Sequence, residues 1–153
     1  MKLILRWIGK TRNPHLSALI GDYQARIGSL VDMTLSEVKG VEFQDPVRAV
    51  EAEGRQLLRG LGRDDFLIAM DPQGQYLNTE EFAQLIAYRR EHSLKRLVFV
   101  IGGPDGLSQE VRSCSHRVIS LSSMTFSHEI ARLLLLEQLY RAFTLVHRIP
   151  YHK

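Results

Sequence analysis

Three stretches of the sequence combine residue types that could bind a ligand. They are Met70–Gly74, Ile101–Gly106 and Ser120–His128, and each follows a segment that we predict to be a strand. Ligands of open α/β sheets bind just beyond the carboxyl ends of strands. Three glycines in the second stretch let the backbone approach a ligand closely. The third mixes hydroxyl and apolar side chains, which suits a ligand that is both polar and aromatic, such as adenosine.

Each stretch also has an interpretation that needs no ligand. The run Asp71–Gly74 is typical of an ordinary turn, and Ile101–Gly106 is typical of a tight loop between a strand and a helix. Ser127 could simply cap a helix, with Glu129 complementing the helix dipole. The glycine spacing matches neither the dinucleotide fingerprint nor the Walker loop, so a phosphate site of either type is disfavoured.

The elements that must position these stretches alternate between strand and helix. Apolar runs predict strands at 2–8, 30–38, 65–70, 97–101 and 116–121. Helical spacing and capping residues predict helices at about 14–26, at 45–61, from 78, from 108 and at about 127–147. We therefore predict an α/β fold, a parallel sheet with helices on both faces, in a single domain spanning 1–153.

Composition limits the class of protein. The 153 residues are 44% hydrophobic and carry a formal net charge of +3, which leaves room for a polyanionic partner without requiring one. A single cysteine, Cys114, excludes an internal disulfide and favours a reducing compartment. The apolar run at 3–8 is too short to span a membrane and lacks a signal-peptide cleavage site. We expect a soluble, cytoplasmic protein with no membrane segment.

The sequence resembles the RlmH-type SPOUT methyltransferases over essentially its whole length. The resemblance depends on Ile101–Gly106, on Leu121–His128 and on the terminal Pro150–Lys153 taken together. It implies methylation of a pseudouridine of large-subunit 23S ribosomal RNA at ring nitrogen 3, on the ribosome. It also implies a trefoil knot in the C-terminal half, S-adenosyl-L-methionine bound at the knot, and a homodimer. Nothing in composition or periodicity indicates the knot, and general fold rules disfavour one.

The resemblance also implies which residues form the cofactor pocket. They are Met70, Gly102, Gly103, Leu121, Ser122, Ser123, Met124, Thr125 and Phe126. Met70 replaces a leucine of the family pattern, with volume and apolarity kept. Ser127 replaces a proline, and Lys153 replaces an arginine, so a point charge takes the place of a bidentate guanidinium.

The acceptor side of such a reaction needs a cation or a general base, because an imide nitrogen is a poor nucleophile until it is deprotonated. The donor methyl is already activated, so no metal is expected. The candidates are His128, His152, Tyr151 and Lys153, and the sequence does not choose among them. Tyr151 could stack on an unstacked base. His128 at a helix start could be purely structural, and the helix dipole disfavours its charged form.

The helix predicted at 127–147 is apolar nearly all round its first turns, which requires burial on more than one side. A second subunit is one explanation, and a central core helix in a monomer is the other.

Two alternatives belong to other classes of protein. One is a knotted RNA-binding protein without catalysis. The other is a nicotinamide-dependent enzyme, which the glycine spacing and the missing acidic partner disfavour.

Overall fold

The computed structural model describes residues 1–151. Its strands are β1 (Lys2–Ile8), β2 (Met33–Val38), β3 (Asp65–Tyr76), β4 (Arg96–Ile101) and β5 (Arg117–Ser120). Its helices are α1 (Pro14–Gly28), α2 (Pro46–Leu58), α3 (Thr79–Glu91), α4 (Gln109–Cys114) and α5 (His128–Val146). None of these helices is long and apolar enough to cross a membrane.

The strands form one sheet in the order β2-β1-β4-β3-β5, and every neighbouring pair is parallel. The central strand β4 is fully buried from Leu97 to Val100, as its continuous apolar run predicts. Because all pairs are parallel, the carboxyl ends of the five strands lie along one edge of the sheet. The loops predicted to bind a ligand therefore share that edge.

Each face of the sheet has its own apolar core. On one face, Leu5 and Phe99 of the sheet pack with Ile27 of α1, Ile86 of α3 and Leu136 of α5. On the other face, Val98 and Val100 pack with Leu57 of α2 and Val111 of α4. The prediction of helices on both faces is thereby confirmed.

Polar side chains cap all five helices at their N-termini. Asn13, Asp45, Ser108 and Ser127 each accept a backbone N–H of the first turn. Asn78 forms a reciprocal capping box with Glu81. These caps fix where each helix leaves the strand-end loop before it.

The prediction that the third strand ends at Met70 is wrong. β3 continues to Tyr76 through a bulge, since both Met70 and Gln75 pair with Ile119 of β5. Within the bulge, Asp71 Oδ1 accepts the Gln73 N–H at 2.9 Å, so the turn chemistry is present but interrupts a strand instead of ending one. Gly74 packs so closely on β5 that a Cβ there would lie 2.6 Å from the backbone nitrogen of Ile119.

The second strand begins at Met33, three residues later than predicted. The N–H groups of Leu30 and Val31 both donate to the carbonyl of Ile27, which places them in the turn that ends α1. These two apolar residues precede the strand and pack against the core on one face of the sheet.

Candidate cofactor site

A cavity of about 320 Å³ lies where β4 and β5 end, beside the bulge within β3. It is formed by the β3 bulge, the glycine-rich loop after β4, the loop between β5 and α5, and the first turn of α5. The lining residues include Met70, Asp71, Pro72, Ile101, Gly102, Gly103, Leu107, Ile119, Ser120, Leu121, Ser122, Met124, Thr125, Phe126, His128 and Ala131. Its volume is within the range of about 300–1,000 Å³ that is usual for small-molecule sites.

The structure brings together eight of the nine residues predicted to bind the cofactor. The exception is Ser123, which lies in the same loop, is exposed and is not part of the cavity lining. His128, predicted as an acceptor-side residue, also lines the cavity. Three segments that are distant in the sequence thus meet in one concave site.

The glycine-rich loop folds back on itself directly beneath the cavity. The Gly106 N–H donates to the Gly103 carbonyl at 3.0 Å, and Gly106 has a φ of +83°. A Cβ on Gly102 would lie 2.3 Å from the Gly106 carbonyl oxygen, so no side chain fits there. A Cβ on Gly103 would instead point to Ile8 and Glu53, at 3.4 Å or more. Gly102 is therefore the position where the turn itself requires glycine.

Arg112 of α4 holds two parts of the site together, although no sequence pattern indicates this role. Its Nη1 donates to Asp71 Oδ2 at 3.2 Å and to the Leu107 carbonyl at 2.7 Å. The guanidinium thus ties the β3 bulge to the end of the glycine-rich loop. Asp71 is almost fully buried, so this charged pair is shielded from solvent on one side.

The loop between β5 and α5 is ordered by its own serines. Ser120 Oγ donates to the Ser122 carbonyl at 2.9 Å, and Ser122 Oγ accepts the Met124 N–H at 3.0 Å. The apolar side chains of this loop remain uncovered, with Met124 73% exposed. The loop therefore presents exposed apolar surface on a backbone that its serine hydroxyls hold in place.

His128 lies at the start of α5, on the wall of the cavity. Burial is the main cause that lowers its pKa below the ordinary value of 6.5, and the charge of Arg132 lowers it further. Glu129 opposes this shift and Arg12 adds to it. The imidazole is therefore neutral near pH 7 and can accept a proton or a hydrogen bond.

Tyr151 is not brought to the cavity of its own chain. Its ring packs edge-on against Tyr140, with centroids 4.7 Å apart, and the guanidinium of Arg141 lies 4.9 Å from its centroid. Its hydroxyl lies 3.4 Å from that of Tyr23, and this contact is the main cause that raises the pKa of Tyr23 to about 12. The predicted residues His152 and Lys153 lie outside the described residues.

Among residues 1–151, no group of three or more His, Cys, Asp or Glu side chains is arranged to hold a metal ion.

Comparison with known proteins identifies the family. A family model described as "Predicted SPOUT methyltransferase" matches residues 1–152. The chain belongs to this SPOUT methyltransferase family. It is 40% identical over 152 residues to the ribosomal RNA large subunit methyltransferase H of Trichlorobacter lovleyi, with 99% of each chain covered. The same-named proteins of Geotalea daltonii and Christiangramia forsetii are 38% and 40% identical, again over 99% of each chain.

Membership of the SPOUT family confirms the resemblance seen in the sequence and fits the observed parallel α/β sheet. The trefoil knot is consistent with this family and is implied by it. Because the relatives match 99% of the chain, every segment of the cavity lies in the region that the chain shares with them.

Proposed function

We propose that this chain transfers a methyl group from S-adenosyl-L-methionine to a pseudouridine of large-subunit ribosomal RNA, at ring nitrogen 3. The observation that carries the proposal is the meeting of three distant segments in one cavity at the strand ends. The relatives named ribosomal RNA large subunit methyltransferase H, which match over the full length, support RNA as the substrate. We further propose that it acts in the cytoplasm as a homodimer.

The residues of the cavity fit S-adenosyl-L-methionine. Gly102 and Gly103 line the cavity without side chains, so the backbone there can contact a flat ring at van der Waals distance. Leu121 and Phe126 offer apolar surface to an adenine, while Ser122 and Thr125 offer hydroxyl groups to a ribose or an amino acid moiety. When bound, the cofactor supplies an activated methyl group, so the chain itself needs to supply neither a nucleophile nor a metal.

The task left to the protein is to align the acceptor ring and to help remove its proton. Neutral His128, on the cavity wall, has a free lone pair for this role. His152 and Lys153, together with Tyr151, are the other acceptor-side candidates. A lysine near the ring would favour the deprotonated imide by its charge, whereas a histidine would take the proton itself.

Mass mapping of ribosomal RNA tests the reaction and the substrate together. RNA from cells that lack this protein should be without one methyl group at a single pseudouridine of the large subunit, and the purified protein with S-adenosyl-L-methionine should restore it. An unchanged methylation pattern would contradict the proposal. Calorimetry with S-adenosyl-L-methionine separates the alternative, because a purely RNA-binding protein would show no binding.

The protonation of His128 gives a prediction that can be measured without substrate. Its pKa in the folded protein is below that of the unfolded chain, so the unfolded chain binds the proton first as the pH falls. The free energy of unfolding should therefore be insensitive to His128 above pH 6.5 and should decrease below it. NMR titration of the ring should give a pKa below 6.5, and His128→Asn should remove this part of the pH dependence. A pKa above 6.5 would contradict the assignment of a neutral imidazole.

The surface of α5 supports the proposed dimer. Ile130, Leu133 and Leu134 are only partly buried in the single chain, although they belong to an otherwise apolar helix. Leu134 also lines a second cavity of about 490 Å³ between α3, α5 and the loop after β5. Half-buried leucines on one side of a helix are typical of a face that pairs with a second copy.

Leu134→Glu should therefore convert a dimer into a folded monomer. An unpaired carboxylate in an apolar interface costs several kcal/mol, so the dimer dissociation constant should increase by about a hundredfold or more. Sedimentation at micromolar concentration measures the effect.

Two control substitutions separate assembly from folding. Leu135 is only 1% exposed, so Leu135→Glu should prevent folding. Gln84→Glu on the exposed face of α3 should change neither folding nor assembly. A wild-type protein that sediments as a monomer would refute the proposed dimer.

A further inference from the structure

Three cations lie in the segments that follow the neighbouring strands β1 and β2. Lys10 and Arg12 belong to the loop between β1 and α1, and Lys39 directly follows β2. The two strands are paired up to Ile8 and Val38, and the Gly9 N–H donates to the Val38 carbonyl at 2.7 Å, so the two loops leave the sheet side by side. All three side chains are exposed. We call Lys10, Arg12 and Lys39 the strand-end cations.

Two carboxylates of this region, Glu37 and Glu129, accept backbone N–H groups. Glu129 Oε1 accepts the Arg12 N–H at 2.6 Å, and its Oε2 accepts the N–H of Asn13 at 3.3 Å. Glu37 accepts the N–H of Thr11 at 3.3 Å. Among the ion pairs formed within residues 1–151, none includes a strand-end cation. The charges of the strand-end cations are therefore exposed to solvent.

A buried arginine fixes the loop that carries two of these cations. Arg132 of α5 is 0% exposed and donates to the Ile8 carbonyl at 2.5 Å and to Thr11 Oγ1 at 3.0 Å. Burying a guanidinium is costly, and here it serves to hold a surface loop in one conformation. Together with the two hydrogen bonds to Glu129, it makes the loop a preorganised platform, which lowers the entropy cost of binding.

The platform borders the candidate cofactor cavity. Glu129 and Arg132, which hold the loop, alternate along α5 with His128 and Ala131, which line the cavity. Ile8, the last residue before the loop, would touch a Cβ on Gly103 of the cavity at 3.4 Å. A polyanion bound to the cations would therefore pass directly beside the site of methyl transfer.

We infer that the strand-end cations bind the phosphate backbone of the RNA substrate and hold its acceptor nucleotide at the cavity. The inference rests on the proposed function. Exposed, unpaired cations on a rigid loop are suited to phosphate contacts, which position a nucleic acid and give little sequence discrimination. This assigns phosphate binding to the β1–β2 end of the sheet, in addition to the acceptor-side candidates named above.

Charge-neutralising substitutions test the inference. The triple variant Lys10→Gln, Arg12→Gln, Lys39→Gln should raise KM for RNA roughly tenfold or more at low salt, with affinity for S-adenosyl-L-methionine unchanged. The dependence of log KM on log salt should become shallower by about 0.7 for each phosphate that the variant no longer neutralises. Methyl transfer to protein-free large-subunit RNA and to intact subunits should be measured in parallel.

A matched triple variant at the opposite edge of the sheet controls for net charge. Arg59→Gln, Arg63→Gln, Lys95→Gln removes the same charge from exposed positions and should leave KM and the salt dependence unchanged. Equal effects of the two triple variants, or no effect of the strand-end variant, would overturn the inference. A raised KM with an unchanged salt dependence would also overturn it, because the lost contacts would then not be contacts to phosphates. Absence of methyl transfer by the wild-type protein would instead refute the proposed function.

Discussion

Gly102→Ala should abolish cofactor binding while leaving the sheet folded. The new methyl group would meet the Gly106 carbonyl oxygen at 2.3 Å and the Leu107 nitrogen at 3.0 Å, both of which are backbone atoms that cannot rotate away. The loop must therefore move, and it is the floor of the cavity. We expect affinity for S-adenosyl-L-methionine in calorimetry to fall by at least a hundredfold, about 2.8 kcal/mol.

Gly103→Ala is the matched control for this prediction. Its Cβ would lie 3.4 Å from Glu53 Oε2 and from Ile8, on the side away from Gly106, so a small adjustment accommodates it. The affinity of Gly103→Ala for S-adenosyl-L-methionine should therefore change little. The larger side chain of Gly103→Val would clash with Ile8 and Glu53. Equal cofactor affinity in wild type and a folded Gly102→Ala variant would remove this loop from the site.

Local chemistry made much of the fold predictable. The helix starts predicted near 78 and 127 and the continuously apolar β4 depend on interactions within a few residues or on burial alone, and the structure confirms them. The residues predicted to bind the cofactor come from the family resemblance, and the position of the strand ends indicated only the three stretches that contain them. Two of these stretches follow β4 and β5 at the shared carboxyl edge of the sheet, whereas Met70–Gly74 lies in the bulge within β3.

The features that the sequence did not predict depend on distant partners. The β3 bulge exists because Gln75 returns to pair with Ile119, some forty residues further along the chain. Arg112 acts through Asp71 and Leu107, and no spacing on its own short helix indicates this. Tyr151 contacts Tyr140 and Tyr23 because the chain turns back after α5. No local sequence pattern indicates this turn.

Removing His152 and Lys153 should abolish RNA methylation and leave cofactor affinity and dimer formation unchanged. These residues carry an imidazole and an ammonium group, which can take a proton from the acceptor ring or hold its phosphate. Truncation after Tyr151 keeps the contacts of that ring with Tyr140 and Arg141, so the packing at the end of α5 is preserved. Tyr151→Phe keeps the same ring contacts and should retain methylation. Full methylation by the truncated chain would show that the two terminal residues are dispensable.

Subunit mixing then determines which cavity is completed by the terminal residues His152 and Lys153, which we call the tail. Tyr151 is held on the α1 and α5 surface of its own chain and does not line its own cavity, so we propose that the tail completes the site of a second subunit. The truncated chain and the Gly102→Ala chain should each be inactive alone. Co-expressed, they form hybrid dimers in which an intact cavity meets an intact tail, and methylation should return. If the tail served its own chain, no hybrid would contain a complete site, and the mixture would stay inactive.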